Sequence, residues 1–298
     1  MIQFNEEQFA GLLCVRITNG LINLWVTTNV GPRIIGCSFV GRENLFAVLP
    51  DEKLTHSSGD TFYIRGGHRL WYAPESFATT YIPDNQPIQG EVHEGVLRVI
   101  QPVDMPTQIQ KSLVIRLAPD QPQVTIEHKL TNLGRASTTL APWAITQLKP
   151  GGVAILPQQT GKVDSDGLLP NRQLVFWPYS QVNAPFLHLG DQYIFVEASM
   201  KEGAFKIGFP NPKGWLAYAV DDVVFMKKAA YFPDQSYFDL GSSSECYCCP
   251  GFLELETLGP SVDLAPGETT SHVEEWVLFK NIQFSLSEEE VARLIDPF

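Results

Sequence analysis

Eleven consecutive residues, Arg65-Gly-Gly-His-Arg-Leu-Trp-Tyr-Ala-Pro-Glu75, put two guanidinium groups, an imidazole, a carboxylate, two large aromatics and a Gly-Gly pair within reach of one another. In a buried strand each of these polar groups would need its own partner. In a ligand-binding wall they are useful as they stand: glycine admits close approach, Trp71 and Tyr72 offer flat surfaces, and Arg65, His68 and Arg69 donate hydrogen bonds. The block is read as a binding or catalytic wall, against the plainer reading of a surface loop held by an Arg–Glu pair.

A second stretch with chemical potential is Gly251-Phe-Leu-Glu-Leu-Glu-Thr-Leu-Gly-Pro260. In a strand, Glu254 and Glu256 point to one side and Leu253 and Leu255 to the other. Either that side is wet and these are ordinary surface acids, or it is a ligand groove. In a groove, mutual repulsion and partial desolvation would raise the apparent pKa of the pair, which suits a general base near neutral pH. Arg65 and Arg69 could neutralise a phosphate or carboxylate on a ligand, or one of them pairs with Glu75. Lys227 and Lys228 precede the glutamate strand; one of them faces the groove, or both lie on a solvated sheet edge.

The elements that must position these groups are strands. Val124-Thr-Ile-Glu-His-Lys-Leu-Thr-Asn132 alternates with period two, placing Val124, Ile126, His128 and Leu130 on one face. On that mostly apolar face His128 reads as a core histidine rather than a catalytic acid. Further β-branched or aromatic runs, each bounded by turn residues, begin at Gly20, Gln110, Gln192, Gly214, Val223 and Glu274. Val220-Asp-Asp-Val223 reads as a two-residue hairpin. One helix is expected, from roughly residue 288 to 295, with Ser287 as N-cap and Glu290 closing a capping box. No linker or repeat divides the chain, so residues 1–298 are expected to form one all-β domain, a large antiparallel sandwich whose curved sheets leave a concave groove.

Composition narrows the function. With 21 Lys and Arg against 33 Asp and Glu, the net charge of −12 argues against nucleic acid and anionic membranes. The N-terminal residues lack the basic-then-apolar order of a signal peptide, and no apolar run approaches a membrane span, so a cytoplasmic location is expected. The five cysteines do not suggest a disulfide framework, and Cys246-Tyr-Cys-Cys249 lacks a second pair at zinc-site spacing. Within a strand, Cys246 and Cys248 would face one way and Cys249 the other. No metal site is expected.

Taken together, the ordered motifs resemble the galactose mutarotase-like (aldose 1-epimerase-like) superfamily. They are Asn29-Val-Gly-Pro-Arg-Ile-Ile-Gly36, Glu43-Asn-Leu-Phe46, the 65–75 block, Leu140-Ala-Pro-Trp-Ala-Ile-Thr-Gln147, Glu254-Leu-Glu-Thr-Leu-Gly-Pro260 and Leu264-Ala-Pro-Gly-Glu268, spanning nearly the whole chain. The resemblance implies a mutarotase-type sandwich with a sugar in its groove and no cofactor, since ring opening needs only proton transfer. It maps the base to Glu256, with Glu254 as the second choice, and the acid to His68. Arg65 and Arg69 become substrate anchors, Trp71 and Trp143 sugar platforms, and Glu75 and Lys228 further substrate contacts. The implied partner is a small carbohydrate, an aldose or an acidic aldose derivative. One departure stands out: the middle strand, Ala141-Pro-Trp-Ala-Ile-Thr146, lacks the histidine usual in active members. That leaves an epimerase or a non-catalytic sugar-binding protein on the same scaffold, beside a third reading, a β-sandwich with a structural or partner-binding role.

Overall fold

The structure is a computed structural model and describes residues 2–295. Twenty-two strands follow one another: β1 (Gln3–Phe9), β2 (Leu12–Thr18), β3 (Ile22–Thr27), β4 (Arg33–Phe39), β5 (Val48–Thr55), β6 (Thr61–Ala73), β7 (Gln89–His93), β8 (Val96–Ile100), β9 (Ile109–Leu117), β10 (Gln123–Asn132) and β11 (Thr138–Leu148). The second half contains β12 (Val153–Pro157), β13 (Val175–Phe176), β14 (Leu187–Leu189), β15 (Tyr193–Glu197), β16 (Phe205–Phe209), β17 (Trp215–Val220), β18 (Val223–Ala229), β19 (Ser244–Cys249), β20 (Phe252–Leu258), β21 (Val262–Leu264) and β22 (Thr269–Lys280).

They form two antiparallel sheets. The first runs β1-β2-β3-β4-β6-β11-β20-β19-β16-β13, with β5 added to β6 and β21 to β11; the second runs β14-β15-β12-β17-β18-β22-β10-β9-β8-β7. The all-β sandwich expected from the sequence is the architecture observed. The alternation in β10 sends Val124, Ile126, His128 and Leu130 inward, while Thr125, Glu127, Lys129 and Thr131 stay partly exposed. Val220 pairs with Val223, so Asp221 and Asp222 form the anticipated two-residue turn, with Asp221 at positive φ. Cys246 and Cys248 are buried and Cys249 is partly exposed, as strand alternation requires.

The C-terminal helix spans Glu288–Leu294, with the Ser287 side chain accepting from the Glu290 N–H. Only half of the capping box forms. The Glu290 carboxylate takes the N–H and hydroxyl of Ser285 instead of reaching the Ser287 N–H. Among the described residues no helix is long and apolar enough to cross a membrane.

The 65–75 block is not a loop. It is the second half of β6, in the middle of the first sheet. Arg65, Gly66 and Gly67 all have positive φ, which breaks the regular pleat where β6 leaves its partner β5 and begins to pair with β4 and β11. The glycines are needed for space as well as for φ. A Cβ on Gly66 would lie 1.9 Å from the Ala47 carbonyl oxygen, and one on Gly67 2.4 Å from that of Ile34.

Candidate functional site

Beyond Gly67 the strand is regular, and its side chains alternate between the two faces of the sheet. Arg69 and Trp71 point to the open, concave face, whereas His68, Leu70 and Tyr72 point between the sheets. The same division runs through β11 and β20. Trp143, Ile145 and Gln147 stand beside Glu254, Glu256 and Leu258 on the concave face, in a register that sets Gln147 between Gly67 and Glu254, and Ile145 between Arg69 and Glu256. His68 and Glu256 therefore lie on opposite faces of one sheet, and the acid–base pair implied by the resemblance does not assemble across the groove.

His68 belongs to a closed polar network between the sheets. The Nδ1 of His128 lies 2.9 Å from the His272 carbonyl, which can only accept, so that nitrogen carries the proton. Neutral His128 then presents a bare Nε2, and His68 Nε2, 2.7 Å away, donates to it. His68 Nδ1 is left to accept from the Thr146 hydroxyl at 2.9 Å, whose oxygen accepts from Lys227 Nζ at 3.2 Å. Lys227 also ion-pairs with Glu274 at 2.7 Å and reaches the carbonyls of Ala144 and Leu255. Glu274 further receives the Thr257 hydroxyl and Trp276 Nε1.

Burial holds His68, His128 and His272 below the ordinary histidine range, His272 at about 3. Burial would push Glu274 up, but Lys227 and the surrounding histidines outweigh it and hold the carboxyl far below its usual value. His68, His128 and Glu274 bring ligand-type atoms within 4.8 Å of one another. That set does not fit a metal ion. Lys227 already compensates Glu274, and the proton between the two Nε2 atoms occupies the lone pair through which they would coordinate.

The concave face carries a second polar cluster, over a cavity of about 380 Å³. Arg69 Nη2 donates to Glu254 Oε1 at 3.0 Å, and its guanidinium lies 4.1 Å from the centroid of the Trp71 ring. Lys206, from β16, places Nζ 2.9 Å from Glu256 Oε2 and 2.7 Å from Glu245 Oε2, the latter an ion pair without hydrogen-bond alignment. The same ammonium sits 4.7 Å from the ring centroids of Trp143 and Trp177. Trp143 Nε1 donates to Glu256 Oε2 at 2.7 Å.

The two central carboxylates differ in access. Glu256 is fully buried and its Oε2 is engaged twice, whereas Glu254 lines the cavity. Burial raises the Glu254 carboxyl to about 7, with Arg69 opposing the shift and Glu256 adding to it. Burial also opposes the charge on Lys206, but Glu245 and Glu256 more than compensate and hold it well above the ordinary lysine value.

Several groups on this face lack a partner within the protein. Arg69 Nε and Nη1, both side-chain atoms of Gln147, and Glu256 Oε1 are buried with no hydrogen bond. Of these three residues Arg69 and Gln147 line the cavity, whereas Glu256 is buried and does not.

The remaining expected site residues fall outside this cluster or on its margin. Arg65 bonds to Asn85 and stacks on Tyr63, facing a different depression formed with Ala10, Leu12 and Pro50. Lys228 pairs with Glu275 on the outer side of the second sheet, one residue from the inward-facing Lys227. Glu75 lies on the rim of the cavity, where it accepts from the Tyr81 hydroxyl and pairs with neither Arg65 nor Arg69. Trp71 and Trp143 are buried, with Arg69 and Lys206 over their rings, and the more open aromatics of the cavity are Tyr81, Tyr179, Tyr247 and, though Lys206 also lies over its ring, Trp177.

Sequence reasoning missed Gln147, Glu245, Tyr247 and Lys206. Gln147 is two strand periods beyond Trp143, and Glu245 and Tyr247 alternate with Cys246 and Cys248, so period two alone could have placed these three. Lys206 and Trp177 carry no such signal, because they arrive from distant segments.

Two polar clusters on a curved antiparallel sandwich, one sealed and one open to a groove, are set in the fold of the galactose mutarotase-like proteins. Solved structures superimpose along nearly their full length. A protein from Synechocystis sp. PCC 6803 has a TM-score of 0.57 at 11% identity, covering 94% of this chain and 99% of its own. A galactose mutarotase-like protein from Lactobacillus casei ATCC 334 has a TM-score of 0.57 at 10% identity, covering 89% and 100%. Another from Clostridium acetobutylicum has a TM-score of 0.54 at 10% identity, covering 94% and 99%. At such identities the likeness is one of fold. No family model and no curated protein matches the sequence.

Proposed function

We propose that the concave face binds a carbohydrate, a neutral one in preference to a phosphorylated or acidic one. The supporting observation is the set of unpartnered polar atoms on Arg69 and Gln147, two residues that line a cavity walled by Tyr81, Trp177, Tyr179 and Tyr247. A saccharide offers the complement, hydroxyls that donate and accept together with apolar ring faces. Neutrality follows from the ion pairs. Arg69 is matched by Glu254 and Lys206 by two glutamates, so each cation of the cluster already faces a carboxyl group of the protein. Leaving a buried donor or acceptor unmade costs about 1–3 kcal/mol, so a ligand that completes these bonds gains against that cost.

A second reading, interconversion of sugar anomers, is favoured by one observation: the cavity-lining Glu254 carboxyl sits at about 7. In this reading the Glu254 carboxylate removes the proton from the anomeric hydroxyl. The bond from the anomeric carbon to the ring oxygen breaks, and the same proton passes from the new carboxylic acid to that oxygen. Rotation and the reverse steps give the other anomer. Glu254 thus replaces Glu256 as the base and also serves as the acid first assigned to His68.

Saturation-transfer and exchange NMR with a panel of neutral, phosphorylated and uronic sugars tests both readings in one set of samples. Saturable binding of neutral sugars is expected. Exchange cross-peaks between anomers that disappear in Glu254→Gln, with binding retained, would establish the epimerase; binding without exchange would leave a recognition protein. Preference for phosphorylated sugars would overturn the neutral assignment.

A further inference from the structure

A second cavity, of about 710 Å³, adjoins the groove. The two share Tyr179 and Ala204 as lining residues, and the chain passes from Phe205 in the wall of the second cavity to Lys206 in the wall of the first. The annex is built from the 179–186 segment and the 199–205 segment that leads into β16. Tyr179, 47% exposed, stands at the junction in a T-shaped contact with Tyr247 of the groove, ring centroids 6.5 Å apart.

Its lining combines apolar surface from Pro185, Phe186 and Met200 with the polar ends of Gln181, Ser199 and Glu202. That pairing of flat apolar contact and hydrogen-bonding groups matches a pyranose as the groove does, without the buried ion pairs and cavity-facing carboxyl near neutrality that would suit chemistry. The groove alone, at about 380 Å³, sits at the small end of the ~300–1,000 Å³ typical of small-molecule sites. The annex is larger than the groove it continues.

We propose that the annex seats the second sugar of an oligosaccharide whose first sugar lies in the groove, so that the ligand is a disaccharide or longer rather than a free monosaccharide. This rests on the carbohydrate reading of the groove. Under the epimerase reading, the unit beside Glu254 is the reducing end and the annex holds the unit attached away from its anomeric carbon.

Titration calorimetry with glucose, galactose and mannose, and with lactose, cellobiose, maltose and their trisaccharides, separates the two claims. The preferred disaccharide should bind at least tenfold more tightly than its constituent monosaccharide. Ser199→Trp, at an exposed position of the annex wall, should remove that advantage while leaving monosaccharide affinity within twofold. Gln181→Ala, a smaller change at another exposed position, should reduce it in the same direction. Equal affinity for monosaccharide and disaccharide, or a loss in Ser199→Trp that falls equally on both, would overturn the annex and leave the groove standing. Binding by none of the sugars would overturn both.

Discussion

On the inward face of β6, β11 and β20, His68, Thr146 and Thr257 meet His128, His272, Lys227 and Glu274 from the opposite sheet, and no side-chain nitrogen or oxygen of these residues is among the buried atoms left without a partner. On the outward face of the same strands, Arg69, Gln147 and Glu256 leave five such atoms unmatched. Both clusters are buried and both contain ion pairs. They differ in closure: the inner network settles every proton it holds, and the outer one leaves a surplus, most of it on Arg69 and Gln147 in the wall of a cavity. A sealed network is what an inter-sheet contact needs, because nothing from solvent can repair it. An open one is tolerable only where a ligand or water can complete it.

Breaking the ion pair at the centre of the sealed face should have the largest effect. Lys227→Met leaves Glu274 buried without its ammonium, and loss of one partner from such a pair costs about 3–5 kcal/mol. Urea denaturation should show that loss, and Lys227→Met combined with Glu274→Leu should recover part of it by removing the stranded charge. A single variant as stable as the parent would mean that the network does not hold the sheets together.

The two faces should also respond to pH with opposite sign. His272 is held at about 3, below its ordinary 6.5, so its contribution to stability is full above 6.5 and is lost as pH falls toward 3. Glu254 is raised from 4.5 to about 7, so its contribution is full below 4.5 and is lost as pH rises through 7. Stability of the parent relative to Glu254→Gln should therefore decline between pH 4.5 and 8, by up to about 3 kcal/mol. Chemical denaturation of the two proteins across that range measures the difference. A constant difference would show that Glu254 titrates as an ordinary surface acid.

Much of this organisation can be read from the chain, and the rest fails for a definable reason. Period two in β10 and β20 correctly predicted which residues share a face, including Glu254 with Glu256, because alternation is a local property of an extended backbone. It also divides Arg69 from His68, so the 65–75 block, whose residue types alone suggest one continuous wall, is split by alternation between two faces. Which of two buried carboxylates faces a cavity is not local. That depends on Lys206 and Trp177, brought from elsewhere by the pairing of β13, β16 and β19, and on Trp143 engaging Glu256 in preference to Glu254.

Neighbouring residues of β11 allow the finest test of the contrast. Thr146 points inward, donating to His68 and accepting from Lys227, while Gln147 points outward with neither amide atom bonded. Thr146→Val keeps the shape and removes the hydroxyl, stranding His68 Nδ1 while Lys227 keeps Glu274 and the carbonyls of Ala144 and Leu255, and should cost about 1–3 kcal/mol. Gln147→Leu removes two polar atoms that already lack partners, so it should leave stability unchanged or raise it by about 1 kcal/mol while weakening saccharide binding at least tenfold. Melting curves and sugar titrations on the two variants read both quantities. Equal destabilisation would erase the distinction between the faces. Loss of stability at Thr146 alone and loss of binding at Gln147 alone would place the divide between structure and recognition across a single peptide bond of β11.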